Sequence, residues 1–194
     1  MSWRVDVRLA GSGGQGLALA ATVLAEGALV AGHTVTVVQN HGPEARGGSS
    51  RSDLALSDGP IANPECPAPD LWLVLHQRAW DRFVTPEVTA GRGTVLVDGD
   101  RVETGPVGPG VIPLPFEAIA RDELGAKVVA NMLAVGALGC LLDRIPLATL
   151  RAAAGRRSPA AFARLNEEAV ERGWSMMARA RDGAAGRTGD AGGA

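Results

Sequence analysis

The residues of this chain best suited to chemistry lie in two glycine-dense loops, Gly11-Ser12-Gly13-Gly14-Gln15-Gly16 and Asn40-His41-Gly42-Pro43-Glu44-Ala45-Arg46-Gly47-Gly48-Ser49. The first follows Val5, Val7 and Leu9, which alternate with polar residues as in a strand, and opens an Ala/Leu run from Leu17 to Val30 that reads as a helix. Glycines at such a junction let the backbone approach a ligand closely, and the free N–H groups and dipole of a helix start favour an anion, phosphate above all. The spacing Gly11, Gly13, Gly16 also satisfies the dinucleotide fingerprint in its required strand–turn–helix context. The acidic residue that would hold a ribose is missing, because the strand His33 to Gln39 ends in Gln39 and Asn40. An ordinary NAD dehydrogenase is therefore disfavoured against a turn built for another phosphate-bearing ligand or for a partner subunit. The competing explanation is that the glycines only let helix pack tightly on strand.

In the second loop, Arg46 followed by Gly47 and Gly48 is an anion device, since a guanidinium offers forked donors and the glycines let backbone N–H groups point at the same oxygens. An ion pair between Arg46 and Glu44, or a carboxylate on a neighbouring subunit, is the bland alternative. The candidate binding residues are Gly11, Gly13, Gly14, Gln15, Gly16, Asn40, Arg46, Gly47 and Gly48. No catalytic or metal-binding residue is assigned. His41 is a lone loop histidine of the kind that is usually solvated, and only three histidines occur in the chain. Cys66 and Cys140 form no CxxC pair and cannot supply the four thiolates of an iron–sulfur cluster. Gln15 and Gln77 are expected near one crevice, because open parallel sheets bind ligands beyond the carboxyl ends of their strands. Asn131, inside the apolar helix Val128 to Leu142, is expected to tie that helix to a neighbouring loop, with Ala130, Ala134, Gly136, Ala137 and Gly139 allowing close packing.

Positioning these residues requires an α/β fold: a single Rossmann-like domain with a mainly parallel sheet flanked by helices and a helical C-terminal portion. Strands are predicted at Arg4–Leu9, Thr34–Val38, Arg51–Leu56, Leu71–Leu75, Thr94–Asp98 and Gly110–Leu114. Arg51–Leu56 is polar enough to be an edge or interface strand. Helices are predicted at Gln77–Phe83, Pro115–Leu124, Lys127–Leu142, Pro146–Ala154 and Pro159–Arg181, the last capped by Ser158 with Pro159 at its first position. The folded domain should span 1–181, with 182–194, almost all Gly, Ala and small polar residues, as a disordered tail. A chain of 194 residues with 46% hydrophobic content can bury one substantial core. The net charge of -2 gives no reason to expect a nucleic acid or an anionic membrane as partner, and no uncharged apolar run is long enough to span one. A cytoplasmic location is the default expectation.

Taken together, the first glycine turn, the run Gly42 to Ser49 and Ser57-Asp58-Gly59-Pro60-Ile61 closely resemble the gamma subunit of the 2-oxoacid:ferredoxin oxidoreductases, the pyruvate, 2-oxoglutarate, ketoisovalerate and indolepyruvate enzymes. Colinear matches follow at Pro69-Asp70-Leu71, Ile112-Pro113, Lys127 to Met132 with Leu138-Gly139, and Phe162 with Asn166-Glu167-Glu168-Ala169 and Gly173, so the resemblance covers residues 4–176. One departure is His41, where the family commonly has an aromatic residue. The resemblance implies oxidative decarboxylation of a 2-oxoacid by thiamine diphosphate, with electrons leaving through iron–sulfur clusters to ferredoxin and the acyl group passing to coenzyme A. No GDG motif with a downstream asparagine pair is present, so thiamine diphosphate, magnesium and the clusters are expected on alpha and beta partner subunits, and the isolated chain is expected to be inactive. Coenzyme A is the candidate ligand of this chain, which would close over the active site. A stand-alone Rossmann-like protein that binds a nucleotide or flavin, as a homodimer, is the alternative; a purely structural subunit is a third.

Overall fold

The computed structural model describes residues 3–40, 48–91, 93–108 and 110–189. Six strands, β1 (Arg4–Ser12), β2 (Thr34–Asn40), β3 (Ser49–Ser57), β4 (Leu71–Val74), β5 (Thr94–Asp98) and β6 (Val111–Leu114), form one sheet in the order β2-β3-β1-β4-β5-β6. Strands β1, β4, β5 and β6 are parallel, while β3 lies antiparallel between β1 and β2. The sheet is mainly parallel with helices on both faces, as expected. The first βαβ unit, however, is split: β1 and β2 run the same way but do not pair, because β3 separates them.

β3 is thus an interior strand, not an edge. Its polar residues are there for a reason that spacing alone does not reveal. Asp53 is buried and accepts from Arg8 Nε at 2.7 Å and Nη2 at 2.8 Å; Arg8 Nη2 also donates to the Cys66 carbonyl at 2.8 Å, and the guanidinium stacks 4.9 Å from the Trp72 ring centroid. The true edges are β2 and β6, and Pro113, which cannot donate to a ladder, sits on the latter.

The helices are α1 (Leu17–Val30), α2 (Gln77–Phe83), α3 (Pro86–Ala90), α4 (Phe116–Asp122), α5 (Ala130–Leu142), α6 (Leu147–Arg157) and α7 (Ala163–Gly189). Apolar strands alternate their side chains between two cores. Leu71 and Leu73 of β4 join the larger core with α1 and α4 to α7, whereas Trp72 and Val74 join a smaller one with Ala79 of α2 and Val95 and Val97 of β5. That double burial is why β4 is apolar throughout. Helix α5 is apolar all round because it is buried all round, and a side chain on its Gly136 would collide with the Val170 carbonyl of α7, as one on Gly173 would with the Leu133 carbonyl of α5.

The sequence reading misses α3 and ends the last helix at Arg181, where α7 continues to Gly189. Ser158 does not cap α7. It ends α6, donating its hydroxyl to the Ala154 carbonyl at 2.7 Å, and extended Pro159 leads into a 3-10 turn, Ala160–Phe162, before α7 begins. Among the described residues no helix is long and apolar enough to cross a membrane.

Candidate functional site

The helices that follow β1 and β4 leave the sheet on opposite faces, α1 into the larger core and α2 into the smaller. A crevice must open where neighbouring chains diverge in this way, outside the carboxyl ends of the parallel strands. A cavity of about 430 Å³ lies there, lined by Gly14, Gln15, Gly16 and Leu19 beside β1, Leu75 after β4, Asp98 and Arg101 at the end of β5, and by Glu117, Lys127, Val128, Ala130, Asn131, Pro159, Phe162 and Asn166.

The glycine turn owes its shape to its own chain. Gly14 and Gly16 take φ of +89° and +71°, which other residues rarely adopt. A Cβ on Gly11 would sit 2.6 Å from Gln15 Oε1, and one on Gly16 would strike the Asn131 amide. Gln15 locks the turn: its Oε1 accepts from the Ser12 N–H at 2.7 Å and its Nε2 donates to the Leu75 carbonyl at 2.9 Å. Gly16 is the N-cap of α1 and supplies no side-chain cap, and the first turn carries no carboxylate, so the helix start faces the cavity with its own N–H groups.

The second loop meets the first. Gly13 donates its N–H to the Gly48 carbonyl at 3.2 Å, and Ser12 pairs with Ser49 across the β1–β3 ladder. Asn40 ends β2 opposite Arg51 of β3, at the same edge of the sheet. Arg46 and Gly47, like His41, lie outside the described residues. Of the predicted binding residues, the structure therefore brings Gly14, Gln15 and Gly16 to the cavity wall and Gly11, Gly13 and Gly48 to its supporting turn. Asn131 does tie α5 to the turn, its Nδ2 donating to the Gly16 carbonyl at 3.2 Å. Gln77 is engaged elsewhere: Oε1 accepts from the Glu103 N–H at 2.7 Å and Nε2 donates to Asp81 at 2.8 Å.

Asp98, Glu117 and Asn166 matter here and escape sequence reasoning in this role. Asp98, buried at the carboxyl end of β5, accepts the Asp100 N–H at 3.2 Å, yet burial pushes its carboxyl up from 3.8 to about 6. Glu117 accepts from Lys127 Nζ at 2.9 Å and from Arg101 Nε, and these two cations, Lys127 first, hold its carboxyl below the ordinary range. Asn166 is buried, its Nδ2 donating to Ser158 Oγ at 2.7 Å. The available signal was positional: Asp98 directly follows the apolar run Val95-Leu96-Val97, where an open parallel sheet places its ligands. Neither cysteine shows thiolate character. Both are buried, and burial pushes the Cys66 thiol up to about 12.

Comparison with known proteins agrees with this architecture. Residues 6–176 match the family model described as pyruvate ferredoxin/flavodoxin oxidoreductase. The 2-oxoglutarate synthase subunit KorC of Methanocaldococcus jannaschii is 40% identical over 139 residues, 70% of this chain and 73% of that protein. The gamma subunit of a keto/oxoacid ferredoxin oxidoreductase from Geobacter sulfurreducens superposes with a TM-score of 0.77 at 32% identity, covering 89% of this chain and 95% of that one. A 2-oxoglutarate:ferredoxin oxidoreductase from Magnetococcus marinus, solved with 2-oxoglutarate, coenzyme A and succinyl-CoA bound, shares the fold at 21% identity and a TM-score of 0.75, over 91% of this chain but 31% of that longer chain. The chain belongs to the pyruvate ferredoxin/flavodoxin oxidoreductase family and is of its gamma-subunit type.

Proposed function

We propose that this gamma-type member of an oxidoreductase family completes a complex in which alpha and beta subunits hold thiamine diphosphate, magnesium and iron–sulfur clusters. The reaction is the oxidative decarboxylation of a 2-oxoacid to an acyl-CoA, with electrons delivered to ferredoxin. Its part is to close over the active site and help bind coenzyme A. The observation that carries this reading is the crevice at the β1/β4 divergence, walled by the Gly14–Gly16 turn and an uncapped helix start, in a chain of this family. Such a site can hold and orient a ligand. Among the described residues, its lining includes no Ser, Thr, Cys or His.

The substrate of the complex is 2-oxoglutarate, on the strength of the names carried by relatives at 34–40% identity; those named for ketoisovalerate stand at 29–34%. The free-standing nucleotide-binding alternative is weakened by the split βαβ unit, in which β3 separates β2 from β1. Affinity purification of the native assembly followed by mass spectrometry should recover a thiamine-binding subunit and a cluster-bearing subunit in fixed proportion to this chain. Recovery of this chain alone, as a homodimer with a bound nucleotide or flavin, would overturn the assignment.

A further inference from the structure

The two edges of the sheet are guarded unequally. β6 has four residues and carries Pro113, so it is short and lacks a donor, as exposed edges usually do. β2 has seven residues, Thr34-Val35-Thr36-Val37-Val38-Gln39-Asn40, with no charge, proline or glycine and with β-branched side chains throughout Thr34 to Val38. It pairs with β3 on one side, and on the other no described strand covers its backbone groups. An unprotected edge of this kind is a template for a further strand.

What lies beside the edge decides which strand. Val35 packs against the larger core, and Val37, on the same face and 39% exposed, lines a shallow groove of about 410 Å³ beside α1 with Thr22, Ala25 and Leu29. Leu29 and Val30, at the end of α1, are 58% and 62% exposed. The charged residues of the groove are Glu26 and Arg157, which bond to each other, and Glu26 also accepts from Arg156 Nε at 2.7 Å. The edge itself is therefore uncharged and the ions beside it are paired, so a copy of the same surface meets no unpaired like charge. On the opposite face of β2, the Thr36 hydroxyl oxygen is buried without a hydrogen-bond partner among the described residues.

Two copies of β2 can pair antiparallel about a two-fold axis perpendicular to the sheet, which keeps α1 on the same face in both. Placing the axis at Thr36 sets this residue opposite its own copy, where one hydroxyl can donate to the other, a favourable cross-strand pair. Val35 then faces Val37 of the copy on the α1 side. The helices agree with this arrangement. Because α1 packs over both β2 and β3, the join brings the two α1 axes about two strand spacings, or about 10 Å, apart, a distance at which helices pack. The exposed Leu29 flank of each helix is then covered by the other.

We infer that β2 is the surface through which two copies of this chain associate, joining their sheets edge to edge with Thr36 at the two-fold axis. The association is independent of what the crevice holds.

Sedimentation velocity of the purified full chain should show a dimer. Val37→Lys places a charge at an exposed position close to its own copy across the join, and should weaken dimerisation by about a hundredfold with the thermal melt little changed. Thr36→Cys reads the register, since residues directly opposed in an antiparallel pair have Cα atoms about 4.5–5.5 Å apart, within disulfide reach. Mild oxidation should therefore link two Thr36→Cys chains. Val38→Cys, whose copy lies four residues further along the join, or about 13 Å, should not link. Both native cysteines are buried and give little background. A wild type that sediments as a monomer leaves the edge to a strand of another subunit and overturns the inference. A dimer that survives Val37→Lys, or that links through Val38→Cys and not through Thr36→Cys, is built elsewhere or in another register and overturns it as well.

Discussion

Two buried polar constellations lie on either side of β1, and they differ in how completely their hydrogen bonds are made. At Arg8 and Asp53 the partners are complete: a bidentate ion pair, a third bond to the Cys66 carbonyl and an indole face beneath the guanidinium. Around the crevice, Asn131 and Asn166 bond through one end only, and Asp98 is buried with a carboxyl that burial makes hard to ionise. The first arrangement is architecture, joining β1, β3 and the loop through Cys66. The second leaves the amide oxygens of Asn131 and Asn166 open to the crevice.

The sharpest way to break that contrast is to remove half of the completed pair. Asp53→Ala leaves a buried guanidinium without its counter-ion and should cost about 3–5 kcal/mol in a urea melt, whereas Arg8→Met with Asp53→Leu should come close to neutral. If Asp53→Ala melts like the wild type, the pair is not the structural tie described here.

Asp98 should behave in the opposite sense. Its folded-state value lies above its unfolded one, so the folded protein holds the proton more tightly, and stability falls as pH rises from about 4 to about 6 and stays reduced above. The shift from 3.8 to about 6 corresponds to about 3 kcal/mol at most. Asp98→Asn should therefore stabilise the protein at pH 8 by up to that amount and by nothing measurable near pH 3. Equal melts of variant and wild type at pH 8 would show that the carboxyl is well solvated.

A smaller effect is expected from the two glycine loops, which the Gly13–Gly48 hydrogen bond joins at one edge of the sheet. Arg46→Ala should lower the affinity for coenzyme A or for the partner subunits by about 1.5–3 kcal/mol, and titration against each separately identifies which. Gly14→Val meets no neighbour within 4 Å but forces a branched residue to φ +89°, for a strain of about 1–2 kcal/mol and a partly filled crevice. Both variants should stay folded while the complex slows. Unchanged binding and turnover in both would make the loops purely structural.

Local patterns were legible in the sequence. The apolar runs of β4 and β5, the α2 span Gln77–Phe83 and the glycine turn all follow from spacing within a few residues. What escaped was set by distant contacts. The polar residues of β3 point to exposure until Arg8, 45 positions away in the chain from Asp53, is placed beside them. Ser158 followed by Pro159 has the form of a helix start, yet Asn166 draws the hydroxyl toward itself and α7 begins at Ala163. Asp98, Asn131 and Asn166 form a site only because three elements end at the same crevice, a fact no window of sequence contains.

The central claim, that this chain is a noncatalytic subunit whose crevice serves a larger enzyme, is tested most directly by reconstitution. The purified chain, supplied with 2-oxoglutarate, thiamine diphosphate, coenzyme A and a dye acceptor, should give no turnover. The alpha and beta subunits with this chain should reduce the acceptor in a coenzyme A-dependent manner, and without it should lose most of that rate. Turnover by the chain alone, or a full rate from the partners without it, would contradict the account.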